Sequence, residues 1–251
     1  MRKELIASLS MLGSLAASGA AAAQTCATPP SCETLGFTKS ETDCDGLEAL
    51  KCPFDQSKLY CPQGGGNMSA AAPGAILYSD GTISDSVIAS KTPVGIVAYV
   101  NGSTGFAVAL TESNQTWGGY GYNVSCLGDM DSGAASADMN GRVNTQCLVS
   151  DSQTHPAANY CNTFSAVSSG KGSSGWYLPA AGELKAMSYS YGAINLGLQK
   201  LSKTQISSNY YWSSSESYYY GSHAWVVRPS DGGMDYYNKD ISYRVRCVLA
   251  L

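Results

Sequence analysis

Few residues of this chain are equipped for acid–base or nucleophilic chemistry. His155 and His223 are its only histidines, and Ser222, His223 and Asp231 form the one nearby set with the residue types of a nucleophile, its base and an orienting carboxylate. Neighbours in a Tyr- and Ser-rich loop lack the ordered surroundings such a triad needs, so the set reads as solvent-facing contact residues. Glu183 stands just after Pro179-Ala180, where a carboxylate serves a helix start as hydrogen-bond acceptor. Asp129-Met-Asp-Ser-Gly133 gathers carboxylates, but the remaining ligands of a calcium loop are missing. Gly170-Lys-Gly-Ser-Ser-Gly175 matches a dinucleotide-binding pattern in its letters alone, because no strand feeds it and no helix opens from it. We therefore expect no enzyme, no catalytic residue, no metal site and no cofactor.

The chemistry this sequence does favour is recognition. Ser208 to Asp240 holds seven tyrosines and seven serines with Trp212, Trp225 and a scatter of Asn, Asp and His. Tyrosine offers large contact area at little rotamer entropy, and Ser, Asn, Asp and Gly add adaptable hydrogen bonds, the mixture of antibody-like paratopes. The expected contact residues are Tyr218, Tyr219, Tyr220, Ser222, His223, Asp231, Met234, Asp235, Tyr236, Tyr237, Asn238 and Asp240. A competing reading makes the same window a Tyr-rich antiparallel sheet whose rings pack on one another.

Those residues must be held by a scaffold, and the pattern from Pro73 onward is one of strands and turns. Val94 to Val100 and Phe106 to Leu110 are nearly all apolar, flank Asn101 to Gly105, and read as a hairpin, with a loop somewhat longer than the tightest kind, covered on both faces. Tyr120 to Asp151 reads as a long polar loop carrying Cys126 and Cys147, which a bridge between them would shorten. Pro156 to Phe164 is a helix candidate with Pro in its first turn, and a second helix runs from Ala180 to Tyr191, with a continuation toward Leu201. Three or four antiparallel strands are expected from Tyr210 to Leu251.

Upstream, residues 1–23 read as a signal peptide: Arg2-Lys3, a small apolar run, and Ala21-Ala-Ala23 as the cleavage site. Residues 24–62 form a Cys-rich module with Cys26, Cys32, Cys44, Cys52 and Cys61, too short to fold without cross-links. Residues 63–72, with Gln63-Gly-Gly-Gly66, read as a linker, and 73–251 as the main domain. All nine cysteines follow the expected cleavage point, which fits an oxidising compartment, and the odd total leaves one free or paired to another chain. The net charge of −4, without a basic stripe, argues against a nucleic-acid partner, and no second apolar run is long enough to span a bilayer.

The ordered set Gly74-Ala-Ile-Leu-Tyr-Ser-Asp-Gly81, Lys91-Thr-Pro-Val-Gly-Ile-Val97, Gly175-Trp-Tyr-Leu-Pro-Ala-Ala-Gly-Glu-Leu184, Tyr211-Trp-Ser-Ser-Ser-Glu216, Ala224-Trp225 and Tyr243-Arg-Val-Arg-Cys-Val248 resembles the DUF1566 family, the C-terminal domain of the Legionella collagen-like protein. The resemblance implies an α+β, C-type-lectin-like fold with two helices, mostly antiparallel sheets and long loops. It implies a disulfide between Cys161 and Cys247, joining the first helix to the last strand. It also implies a secreted, periplasmic or cell-surface protein used in adhesion, with a protein or glycan as ligand. The Tyr-rich window is further similar to variable proteins of diversity-generating retroelements. A structural envelope protein, with the tyrosines packed internally or in self-assembly, is the alternative. An enzyme on a formylglycine-generating-enzyme-like scaffold ranks third, since Cys161 and Cys247 are its only candidate cysteines and the bridge consumes them.

Overall fold

The computed structural model describes residues 71–102, 104–218 and 221–251, and the backbone of three strands nearer the N-terminus. The chain divides into two units, Met1–Pro62 and Gln63–Leu251. In the first, β1 (Phe37–Lys39), β2 (Leu50–Cys52) and β3 (Asp55–Pro62) form an antiparallel sheet in the order β1-β3-β2. The expected signal peptide, the five-cysteine pairing and most of the linker lie outside the described residues.

The second unit opens with β4 (Ile76–Tyr78), β5 (Ile83–Ser84), β6 (Pro93–Asn101), β7 (Thr104–Ala109) and β8 (Ser113–Thr116). Helices α1 (Ser132–Ala137), α2 (Gly141–Ser150) and α3 (Pro156–Thr163) follow, then β9 (Trp176–Tyr177), α4 (Ala181–Ser188) and α5 (Tyr191–Lys200). The chain then forms β10 (Tyr211–Glu216), β11 (His223–Arg228), β12 (Gly233–Asn238), β13 (Ser242–Val245) and β14 (Val248–Ala250). The architecture is α+β.

Two sheets result. The six-stranded one runs β5-β4-β6-β7-β14-β9, antiparallel throughout, so β14 is inserted between β7 and β9. The five-stranded one runs β12-β11-β10-β13-β8, with β10 and β13 parallel and its other pairs antiparallel. The apolar runs of β6 and β7 are buried on both faces. Ile96, Phe106 and Val108 pack with Leu184, Met187, Ile194 and Leu198 of α4 and α5. Val94, Ala107 and Ala109 pack toward Leu148, Ala157 and Cys161 of α2 and α3. Contact with α5 is close enough to require glycine: a Cβ on Gly197 would stand 2.5 Å from the Gly74 carbonyl oxygen. Each large apolar side chain sealed in this way contributes about 1.5–3 kcal/mol.

Four expectations need correction. There are five helices in the described residues, not two: Tyr120 to Asp151 is not a loop throughout but contains α1 and α2, and the expected second helix with its continuation divides into α4 and α5. Asp131 starts α1 by accepting a hydrogen bond from the Ala134 amide at 2.8 Å. Apart from Leu148, the buried side of α2 is Gly141, Asn144 and Thr145, so no apolar period betrays it. Asn144 donates to Asp138 at 2.8 Å, and Thr145 donates to the Gly141 carbonyl at 2.7 Å and accepts from the Leu178 amide at 2.9 Å. The hairpin pairs out to Asn101 opposite Thr104, tighter than expected. Five strands, not three or four, follow Tyr210, and one neighbour pair among them is parallel because β13 returns beside β10.

Candidate functional site

The groups with the greatest apparent capacity for chemistry, Glu183 and His155, are buried and hydrogen-bonded within the fold. Glu183 is buried and accepts from the Ala180 amide at 2.8 Å and from the Tyr177 hydroxyl at 3.1 Å, closing the first turn of α4. Burial pushes its carboxyl up to about 7. His155 is buried at the start of α3, its Nε2 2.9 Å from Asp151 and its ring edge-on to Trp117 at 4.9 Å, and burial lowers its pKa despite that partner. Gly170 to Gly175 lies in the connection between α3 and β9, where the Gly172 carbonyl accepts from the Trp176 indole at 2.8 Å. No group of three or more His, Cys, Asp or Glu suited to a metal occurs among the described residues.

The Tyr- and Ser-rich window divides. Tyr211 to Ser217 is wholly buried, although the same composition continues into exposed residues. Ser213 donates to the Trp225 carbonyl at 2.7 Å and Ser215 to Asp138 at 2.6 Å. Glu216 ends β10 inside the protein, ion-paired with Lys239, and both side chains are 0% exposed. Burial raises the Glu216 pKa and lowers that of Lys239, each opposed by its partner.

That pair holds a loop. Lys239 donates to the Tyr122 carbonyl at 2.6 Å and its ammonium sits 4.7 Å from the Trp117 ring centre, while Glu216 accepts the Val124 amide on both oxygens, at 3.0 and 3.2 Å. The Gly118 amide donates to the Lys239 carbonyl at 3.0 Å, and the Gly121 amide to the Gly221 carbonyl at 3.1 Å. Gly221 has φ 63°, and a Cβ there would meet Asn123 Oδ1 at 2.6 Å, so the two loops touch where only glycine fits. Beyond the loop, Cys126 is bonded to Cys147 of α2, Cα atoms 5.9 Å apart. Buried charge thus fixes segments that present Tyr120, Tyr122 and Tyr218 at 50%, 58% and 47% exposure.

The sequence candidates fall in three places. Tyr218, Ser222, His223 and Asn238 gather at this loop end, with His223 paired opposite Asn238 and its ring edge-on to Tyr236 at 5.5 Å. Asp240 is exposed just beyond β12, and Tyr219 and Tyr220 lie outside the described residues. Along β12 the side chains alternate: Met234 and Tyr236 pack against the core that contains Trp225, while Tyr237 turns to the opposite face, 5.8 Å from Tyr210 and 5.1 Å from Tyr243. The Asp235 carboxylate beside Tyr237 raises its phenol. Asp231 sits at the far turn of the hairpin, bonded to Arg228 at 2.9 Å and to the Gly233 amide at 3.0 Å. The six residues of β11 span roughly 17 Å, which separates Asp231 from Ser222 and His223 and disposes of the triad.

Tyr120 and Tyr122 were missed. Their signal is Gly118-Gly-Tyr-Gly-Tyr122, the same Tyr and Gly mixture read as contact surface elsewhere in the chain. Tyr210, Arg228 and Tyr243 were missed as well. With Asn114, Asn209 and Arg244 they line a concavity of about 380 Å3 on the five-stranded sheet.

Residues 122–249 match the family model described as the Lcl C-terminal domain. Among solved structures the chain is similar to a fimbrial protein from Bacteroides ovatus ATCC 8483, at 18% identity and a TM-score of 0.55, over 70% of this chain and 48% of that one. The chain spans about half the length of that protein, and the likeness concerns the fold alone. No curated protein matches the chain.

Proposed function

The chain belongs to the Lcl C-terminal domain family, and from that premise we propose that it is an exported adhesion protein whose residues 73–251 adopt a C-type-lectin-like fold. Its loop end, with Tyr120, Tyr122 and Tyr218 exposed beside Ser222, His223 and Asn238, meets a protein or glycan ligand. The observation that carries this reading is the fully buried Lys239–Glu216 pair, which spends two charges on fixing a loop whose tyrosines point to solvent. Rigid aromatic anchors on a fixed frame lose little entropy on binding. Two bridges brace the frame, Cys126–Cys147 beside the loop and Cys161–Cys247 between α3 and the start of β14, and they suit an oxidising, extracytoplasmic location. No helix among the described residues is long and apolar enough to cross a membrane. We assign no enzymatic role: His155, Glu183 and the Lys239–Glu216 pair are buried and hold helix starts and loops. The alternative, a purely structural use of the window, draws support from the burial of β10.

The test is a triple substitution, Tyr120→Ser, Tyr122→Ser and Tyr218→Ser, in the full secreted chain. Retention on cell surfaces should fall with the melting temperature unchanged. Undiminished retention would sink the reading.

A further inference from the structure

The loop end leaves unused the concavity of about 380 Å3 on the five-stranded sheet. We propose that this concavity is a second ligand site, shaped for a neutral sugar unit. It stands apart from the loop-end reading and has its own test.

The volume lies within the range of small-ligand sites, roughly 300–1,000 Å3. Tyr210 and Tyr243 provide its aromatic surface, 6.5 Å apart and at 84°, so one ring can offer a face where the other offers an edge. Tyr243 is already braced by Trp212 at 5.2 Å and Tyr237 at 5.1 Å, so little ordering remains to be done when a ligand arrives. The carbon-bound hydrogens on one side of a pyranose suit such rings, and its hydroxyls need directed donors and acceptors. Asn114 and Asn209 supply amides at the rim.

The two arginines decide which sugars fit. Arg228 lies 5.4 Å from the Tyr210 ring centre and gives Nε and Nη2 to Asp231; its Nη1 has no protein partner among the described residues. Arg244 gives Nη1 to Glu112, and its Nη2 and Nε are likewise unpartnered. Each guanidinium is therefore held by a carboxylate and still has N–H groups to offer. Asp231 matches Arg228, and the one positive charge left over where Arg244 and Arg246 share Glu112 is offset by the Asp235 carboxylate beside Tyr237 and Tyr243, so the site presents planar, oriented donors in an environment that suits hydroxyls better than sulfate or carboxylate groups. Glu112 cannot readily release Arg244, because it also holds Arg246 at 3.0 Å and accepts the Tyr211 hydroxyl at 2.8 Å.

The experiment is an oligosaccharide array probed with the full chain, carrying neutral hexose and N-acetylhexosamine glycans beside sulfated and uronate-bearing ones. Ser242→Trp places a bulky side chain at the concavity from an exposed position, and Tyr210→Ala removes one ring. We expect retention on neutral glycans, weakened about tenfold or more by either change and kept by the triple loop variant. Should Ser242→Trp lower the melting temperature, Arg228→Lys carries the test, since it keeps the charge and loses the fork. The proposal is overturned by no retention on neutral glycans, by retention on acidic ones alone, by full retention in the folded variants, or by loss in the loop variant.

Discussion

Strands β10 and β12 lie in the same sheet with one strand between them, and both combine two aromatic residues with small or acidic ones. The first is buried at every position and the second is half-exposed at every position. What separates them is their place in the strand order. With β11 and β13 on its flanks and α4 and α2 packed on it, β10 is sealed from water and its Ser213 and Ser215 hydroxyls bond inside the protein, whereas β12 is an edge. Composition chose the type of residue, and topology chose whether water sees it.

This contrast can be broken from the central side first. Trp212→Ala on β10 removes a fully buried indole that donates to the Gln115 carbonyl at 3.1 Å, and it should cost roughly 3–5 kcal/mol in denaturant unfolding. Lys239→Met, just past β12, strands the Glu216 charge and should cost about 3 kcal/mol or more. Adding Glu216→Leu should return most of that stability while leaving the loop less protected in amide exchange, because the Tyr122 and Val124 anchors are gone. Should the loop of the double variant stay as protected as in the unsubstituted chain, the pair is not the element that holds it.

Acidity probes the same side. The Glu183 pKa is raised in the folded state, so its contribution is present below the unfolded value of 4.5 and is lost as pH rises toward about 7. Unfolding free energy should fall by at most about 3 kcal/mol across that window, and Glu183→Gln should flatten the slope. The edge gives smaller effects. Tyr237→Ala loses ring contacts with Tyr210 and Tyr243 and should cost about 1 kcal/mol. Tyr218→Ser, on an exposed ring, should stay within roughly 0.5 kcal/mol, so any loss of ligand retention measured there is a loss of contact rather than of fold.

The legible parts of the fold were those with local causes. Pro156 and Pro179 mark the approach to α3 and α4, and the unbroken apolar runs of β6 and β7 announce a sheet covered twice. Helix α2 hid because Gly141, Asn144 and Thr145 face inward through hydrogen bonds that no hydropathy pattern encodes. The site was legible in residue type and illegible in geometry. Tyr122 is fixed by Lys239, 117 residues further on, and the parallel pairing of β10 with β13 decides which serines are sealed. Neither follows from neighbours in the chain.

The insertion of β14 between β7 and β9 sets an order of events during biosynthesis. Val108 waits for Val248 before β7 gains its second partner, so the ribosome must deliver 140 further residues while that edge stays open. Such high contact order places closure of the sheet on the slow side, on the order of milliseconds to seconds. The nascent domain therefore passes through synthesis without its six-stranded sheet complete, and the β7 edge stays open to other strands until residue 248 arrives.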